Sequence, residues 1–227
     1  MVPGFYGKLP SFGDFISRRL LGSFVRPWDA WLQNAIFSSR NKLGERWLET
    51  YLTSPVWRFL LSAGACGNDA CMGVLMPSVD KVGRYFPLTL AVLIEPRAVL
   101  PGLFVEGAEW FEKIETLALS SLEDDFDFEH FDRELQNTLL PPMSPNEESL
   151  LEPDWPDSES RPLFRIAVSE PGKLRDAFVE LSGFLLGRSS PAYTLWCAGG
   201  ENEKTTLLAF DGLPSPSAFT ELVRFQE

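Results

Sequence analysis

Two clusters of glycine, proline and charged residues constrain the fold of this chain more than any other feature. The first motif cluster, GFYGKLPSFGDF, spans residues 4–15, and the second motif cluster, PSVDKVGRYFPL, spans residues 77–88. Glycine and proline restrict the backbone at turns, so the charged residues between them are held in a set geometry. We therefore expect the two clusters to pack together and to form either a functional site or a buried polar network.

Short apolar runs predict a sheet. Residues 57–63, 71–76 and 88–94 are bounded by Gly, Pro and Asn, which is typical of adjacent strands joined by tight connections. Residues 163–168 predict a further strand. A terminal hairpin is predicted from residues 193–197 and 205–210, with its turn at 199–202.

Apolar residues at spacings of three and four predict the helices. The first has Pro27 in its first turn, where proline is tolerated, and a buried face of Phe24, Trp28, Trp31, Leu32, Ala35 and Ile36. The others are a helix with an apolar face from Phe104 to Leu122, an acidic helix at 128–139, and a helix with a buried stripe of Leu174, Ala177, Phe178, Leu181 and Leu185. Because strands are grouped rather than alternating with helices, we predict an α+β fold, with an antiparallel sheet flanked by helices as in an α/β/α sandwich.

Length and composition favour a single domain over residues 1–227. A chain of 227 residues with 44% hydrophobic residues forms one sizeable core. Residues 141–162 contain six prolines among acidic residues and serines. Such a segment has little apolar surface to bury, so a long mobile loop is predicted there.

Charge is divided unevenly along the chain. Residues 1–100 hold 11 Lys and Arg against 7 Asp and Glu, whereas residues 101–227 hold 9 against 25. The acidic part repels nucleic acid, and no basic patch of the first part is interleaved with aromatics, so we expect no nucleic-acid binding. Apolar runs are too short for direct membrane insertion, and three cysteines suit a reducing compartment, which together predict a cytoplasmic protein.

Residues suited to catalysis or metal binding are scarce. The single histidine, His130, lies in an acidic stretch, which excludes two-histidine metal sites. Cys66 and Cys71 have no obvious partners to complete a zinc site, and Glu203 stands where a phosphate loop needs its second glycine. We therefore expect no catalytic residues, no metal and no cofactor, and a protein that is not an enzyme.

The candidate site residues belong to the motif clusters and to the sequence between them. They are Lys8, Asp14, Arg18, Trp57, Arg58, Asp80 and Arg84. Asp80 and Arg84 are close enough to pair within one loop, and Asp14 is expected to accept hydrogen bonds from Arg18 or Arg58. The set is interpreted either as a charged network that fixes two loops or as a surface for a partner.

The motif blocks resemble the N-terminal domain of TagF proteins, accessory proteins of bacterial type VI secretion. The matching blocks are Gly4-x-x-Gly7-Lys8-Leu9-Pro10 with Gly13-Asp14-Phe15, Trp28-x-x-Trp31, Ser54-Pro55-Val56-Trp57-Arg58-Phe59, and Pro77-Ser78-x-Asp80-x-x-Gly83-Arg84-x-Phe86-Pro87-Leu88. Four blocks in one order are more specific than one short motif. The resemblance extends over residues 4–93 and is weaker towards the C-terminus, where Gly212-Leu213-Pro214 is its main trace.

This resemblance implies a non-enzymatic, post-translational repressor of type VI secretion. Proteins of this kind are associated with the forkhead-associated scaffold Fha and act apart from the threonine kinase and phosphatase branch. The implied mechanism is sequestration, because a bound scaffold cannot support assembly of the secretion machine. The expected partner is therefore the Fha scaffold of the same secretion system.

Two other interpretations stay open at this point. Lys8, Asp14, Asp80 and Arg84 beside glycine-rich turns are suited to hold a small anion or a phosphorylated ligand, whether as a binding protein or as an enzyme. A stable oligomer formed through the tryptophans would need an exposed tryptophan on the first helix. The sequence does not fix the oligomeric state.

Overall fold

A seven-stranded antiparallel sheet forms the centre of the computed structural model. The structure describes residues 1–94, 100–140, 151–152, 165–166, 174–199 and 205–224. The strands are β1 (Gly4–Gly7), β2 (Ile16–Arg18), β3 (Trp57–Leu61), β4 (Ala70–Met76), β5 (Leu88–Ile94), β6 (Leu151–Glu152), β7 (Arg165–Ile166), β8 (Tyr193–Ala198) and β9 (Thr206–Asp211). The sheet has the order β2-β1-β5-β4-β3-β8-β9, every neighbouring pair being antiparallel, and β6 pairs with β7 separately.

Helices cover both faces of this sheet. They are α1 (Gly22–Leu43), α2 (Trp47–Leu52), α3 (Leu100–Glu106), α4 (Ala108–Ser120), α5 (Phe128–Asn137), α6 (Leu174–Ser189) and α7 (Pro216–Val223), with a 3-10 turn at Gly44–Arg46. One hydrophobic cluster joins the sheet to α3, α4 and α5, and the other joins it to α1, α2 and α7. The fold is thus α+β, with an antiparallel sheet between two layers of helices, as the sequence predicts.

The two central strands, β4 and β5, show why the apolar runs are uninterrupted. All seven residues of β4 are buried, and so are six of the seven residues of β5. A strand that is covered on both faces has no side facing water, so it needs no alternation of polar and apolar residues. The edge strand β9 does alternate, because its side chains on one face are exposed.

The tryptophans of the first helix belong to the core. Trp28 is fully buried, stacks on Trp196 with a centroid distance of 6.2 Å and donates its indole N–H to Thr89 Oγ1 at 2.9 Å. Trp31 is partly buried and donates to the carbonyl of Pro214 at 2.7 Å. Both indoles therefore tie α1 to neighbouring elements. Neither Trp28 nor Trp31 is exposed, so the condition for oligomerisation through these tryptophans does not hold.

The helix predicted from Phe104 to Leu122 is divided in two. Helix α3 ends at Glu106 and α4 begins at Ala108, with Gly107 between them. A Cβ at position 107 would lie 2.5 Å from the carbonyl oxygen of Leu103, so a glycine is required at this close approach. Leu122 lies beyond α4 and is exposed, which makes its placement on the buried face wrong.

Two other details of the predicted helices are wrong. Because α1 begins at Gly22, Pro27 lies in its second turn, and the carbonyl of Ser23 loses its helical donor. In α6 the buried positions include Ala177 and Glu180, while Phe178 and Leu185, both predicted to be buried, are exposed. Successive helical residues are separated by about 100°, so Phe178 points away from the buried side.

Several predicted features fall outside the described residues. They are the mobile loop at 141–162 apart from β6, most of the strand at 163–168 apart from β7, and most of the 199–202 turn. Within the described ranges, no helix has both the length and the apolar character that crossing a bilayer requires.

The close packing at Gly73 on β4 yields a stability prediction. A Cβ there would lie 2.3 Å from Leu90 O, 2.8 Å from Ala91 Cβ and 2.8 Å from Phe59 Cζ. Since a backbone oxygen in a central strand cannot move aside, Gly73→Ala should lower the free energy of unfolding by about 1–3 kcal/mol in urea titrations.

Gly187 provides the matched control for Gly73. It lies inside α6, and an added Cβ meets no atom within 4 Å. Gly187→Ala should raise the free energy of unfolding by up to about 1 kcal/mol, because alanine is the better helix former. Equal stability of Gly73→Ala and the native protein would contradict the packing described here.

Candidate functional site

The centre of the candidate site is a buried ion pair between the two motif clusters. Lys8 follows β1, and its Nζ donates to Asp80 Oδ2 at 2.7 Å. The two residues are 4% and 3% exposed. Beside them, Ser78 Oγ donates to the backbone carbonyl of Lys8 at 2.7 Å, so the clusters are joined through backbone as well as side chain.

Asp80 also organises the turn that follows it, here called the tip loop (residues 81–84). Its Oδ1 accepts the backbone N–H of Val82 at 3.1 Å and of Arg84 at 2.8 Å. The Asp80 N–H donates to the Arg84 carbonyl at 3.1 Å, and Gly83 N–H donates to the Asp80 carbonyl at 2.9 Å. Gly83 has φ +83°, a conformation that glycine adopts without strain. One carboxylate therefore fixes the turn internally.

Arg84 and Lys81 connect the tip loop to the first motif cluster. Arg84 Nε donates to Asp80 Oδ2 at 2.7 Å, and its Nη2 donates to the carbonyl of Gly13. The backbone N–H of Lys81 donates to the Phe12 carbonyl at 2.9 Å. The prediction that the two clusters pack together is thus confirmed, and so is the pairing of Asp80 with Arg84.

Burial and hydrogen bonding act in opposite directions on Asp80. Burial alone raises the pKa of a carboxyl group, but here hydrogen bonds from the Lys8 side chain, the Arg84 backbone and side chain, and the Val82 backbone lower it. The net result is that the pKa of Asp80 lies well below its usual range. The carboxylate stays ionised near neutral pH and is suited to hold its partners rather than to exchange a proton.

Asp14 does not make the contacts expected of it. It is exposed, and its Oδ1 accepts the backbone N–H of the next residue, Phe15, at 2.8 Å. Arg18 and Arg58, the expected donors, are bonded to other carboxylates. The prediction of an Asp14 pair is therefore wrong, because a carboxylate in a turn is satisfied locally by the backbone.

Arg18 instead joins β2 to helix α5. Its Nη1 donates to Asp132 Oδ2 at 2.5 Å, and its guanidinium lies 4.6 Å from the ring centroid of Phe128. Arg19 Nη2 lies 2.6 Å from Asp132 Oδ1. The N–H group does not point at this oxygen, so the contact is an ion pair without a hydrogen bond. Burial raises the pKa of Asp132 while Arg19 and Arg18 lower it, and the net effect is a lowered pKa.

Asp132, like Glu115, is a partner residue that the sequence reasoning missed. Helix α5 is acidic, which is typical of a solvated helix, yet Asp132 is only 4% exposed. A signal was present, since Asp132 is four residues after Phe128 and next to the buried Phe131, on the apolar side of the helix. By contrast, His130 is exposed.

Arg58 and Trp57 point to opposite faces of β3. Arg58 donates twice to Glu115 of α4, at 2.8 and 2.6 Å. Trp57 is buried and donates its indole N–H to the carbonyl of Leu222 at 3.2 Å. The seven predicted residues therefore form no single site: Lys8, Asp80 and Arg84 meet, with Asp14 at the edge, while Arg18, Arg58 and Trp57 each bind a different element.

The described residues hold no group of three His, Cys, Asp or Glu side chains placed to share a metal ion. Cys66 and Cys71 are buried free thiols. Burial raises the pKa of Cys66 to about 12 and raises that of Cys71 well above its usual value. Both thiols are therefore protonated near neutral pH.

Residues 4–138 match the model of the TagF N-terminal domain, which is described as type VI secretion system-associated. The chain belongs to the TagF N-terminal domain family. It is also similar to PA0076 from Pseudomonas aeruginosa PAO1, whose crystal structure matches with a TM-score of 0.80 and 37% sequence identity over 99% of this chain and 95% of that chain. No curated protein matches the chain.

The span that matches the TagF domain contains the three ion pairs made by Lys8, Arg18 and Arg58 with acidic residues of the described chain. Lys8–Asp80, Arg18–Asp132 and Arg58–Glu115 all lie within residues 4–138. Strands β8 and β9 lie outside the match, yet they continue the same sheet from β3. The TagF domain and the C-terminal strands thus share one sheet.

The low pKa of Asp80 predicts how stability depends on acid. Its folded value lies below the unfolded value of about 3.9, so its stabilising contribution is complete above about pH 5 and is lost as the pH falls towards the folded pKa. Asp80→Asn cannot ionise. It should be less stable than the native protein at neutral pH but should lose less stability between about pH 5 and pH 3 in urea titrations.

Asp14→Asn is the matched control, since Asp14 is exposed and accepts a hydrogen bond from the backbone N–H of the next residue. Its stability curve should run parallel to that of the native protein. An Asp80→Asn curve that was also parallel would show that Asp80 is not the group whose protonation destabilises the fold.

Proposed function

We propose that this protein is a non-enzymatic cytoplasmic regulator that represses type VI secretion by binding and sequestering the Fha scaffold. The observation that carries the proposal is membership of the TagF N-terminal domain family, together with similarity to PA0076 over nearly its whole length. Repression and scaffold binding are what resemblance to TagF proteins implies.

The state of the charged side chains supports a binding role over a catalytic one. Lys8, Arg18 and Arg58 each donate to a carboxylate of the same chain. A catalytic acid or base needs a pKa near the working pH and a path to substrate. Asp80 has a strongly lowered pKa and almost no exposed surface. These groups stabilise the fold and its surface loops instead.

The same geometry weakens the alternative of a small-anion or phospho-ligand site. Lys8 is buried and its Nζ already bonds to Asp80. Arg84 is bonded to Asp80 and to the Gly13 carbonyl, and Asp14 adds a negative charge beside them. An anion would have to displace a carboxylate from its two cations, which is unfavourable for a buried pair.

Overproduction of the protein in cells with an active type VI secretion system should silence secretion. The effect should persist in cells that lack the phosphatase branch, because sequestration acts on the scaffold itself. The readout is the amount of a secreted component in the medium, with its intracellular level as the control. Normal secretion under overproduction would refute the repressor role.

A binding assay with purified protein and the Fha scaffold of the same secretion cluster separates sequestration from an indirect effect. The interface is expected among exposed residues of the first hundred positions, where the motif clusters and the positive charge coincide. A variant lacking residues 141–162 should therefore still bind. Loss of binding in that variant alone, with its fold shown intact by circular dichroism, would place the interface in the acidic segment instead.

A further inference from the structure

The tip loop presents an apolar side chain to solvent where turns usually carry polar ones. Val82 is 68% exposed, and all four residues of the tip loop are exposed. Phe15 of the neighbouring cluster is 43% exposed, stacks on Tyr6 and has the Nζ of Lys8 5.0 Å from its ring centroid. The tip loop and Phe15 thus add exposed apolar surface at one place on the molecule.

The tip loop is rigid for a structural reason. Asp80 Oδ1 holds two of its backbone N–H groups, Arg84 anchors its end, and Lys81 N–H bonds to the Phe12 carbonyl. The carboxylate that makes these contacts is itself held by the buried Lys8. A loop fixed before binding loses less conformational entropy when it docks. The buried network therefore holds Val82 in a fixed position at the surface.

Charge around Val82 has the sign opposite to that of the whole chain. Lys81 precedes it, and Arg84, whose side chain is 56% exposed, follows two residues later. The cations of this region are Lys8, Lys81 and Arg84, against the carboxylates Asp14 and Asp80, whereas the net charge of the chain is −12. Such a local excess attracts a surface that carries carboxylates.

The backbone at Gly13 and at Gly83 has free space around it. A Cβ added at Gly13 or at Gly83 would meet no atom within 4 Å. Position 83 requires glycine because its φ is positive. Position 13 has neither a positive φ nor a close neighbour, so its own conformation does not require glycine. The bare backbone at Gly13 leaves room for another chain against the tip loop.

We propose that the tip loop is the docking element for the Fha scaffold, with Val82 as its apolar anchor between Lys81 and Arg84. The complementary surface is an apolar pocket rimmed by carboxylates. This inference rests on the proposed function and names the part of the chain that performs it. Buried apolar anchors near the centre of an interface carry a large share of binding energy, while flanking charges set association rate and salt dependence.

The test is the affinity of purified variants for the purified Fha scaffold of the same secretion cluster. Val82→Asp places a carboxylate into the apolar pocket and should weaken binding at least about tenfold. Phe37→Asp is the matched control: Phe37 is 69% exposed on α1 and also lies in the first hundred residues. Its affinity should stay within about twofold of the native value.

A second pair of variants tests the charge. Lys81→Glu should weaken binding and reduce its dependence on salt, since one attractive contact becomes repulsive. Arg26→Glu makes the same change in net charge on the exposed side of α1, and it should leave affinity nearly unchanged. Melting midpoints of all four variants should match that of the native protein, because each altered side chain is exposed.

The outcomes separate the two proposals. Tight binding of the native protein with equal affinity of Val82→Asp would overturn the tip loop as docking element and leave the proposed function standing. A native protein without measurable affinity for the scaffold would overturn both. A loss of affinity in Phe37→Asp or Arg26→Glu as large as in the tip-loop variants would move the interface to helix α1.

Discussion

A lysine and an aspartate that are almost fully buried face each other across 2.7 Å where strand β1 leaves the sheet. Lys8 is paired with Asp80, and a buried charge without a partner is strongly unfavourable. Lys8 lies in the first motif cluster and Asp80 in the second, so the two segments must fold together. The remaining hydrogen bonds of Asp80 then determine the shape of the tip loop.

The other ion pairs follow the same principle of joining distant segments. Arg18 reaches Asp132, 114 residues later, and Arg58 reaches Glu115, 57 residues later. Each pair fastens a strand of the sheet to another element of the TagF domain. The motif residues that stand out in the sequence are thus largely those that hold the sheet edge, the tip loop and helices α4 and α5 in place. The surface that a partner can contact is formed by the exposed residues that lie beside these ion pairs.

Pairing within one turn and the packing of the two motif clusters were predictable from the sequence, but the distant partners of Arg18 and Arg58 were not. Asp80 and Arg84 lie within one glycine-containing turn, so their pairing followed from spacing, and apolar runs gave the central strands. The partner of Arg18 required knowing that α5 packs beside β2, which no local pattern of residues encodes. Phe178 was misplaced for a related reason: a helical period shows an apolar stripe, but the neighbouring elements decide which side is buried.

Amide hydrogen exchange in native protein and in Lys8→Met tests directly whether the buried pair orders the tip loop. Faster exchange is expected at the amides of Lys81, Val82 and Arg84 in the variant, because Asp80 loses one of the two cations that hold it in place. Exchange in the central strand β4 should remain slow in both proteins. Equal protection of the tip loop with and without Lys8 would contradict the claim that this ion pair determines its shape.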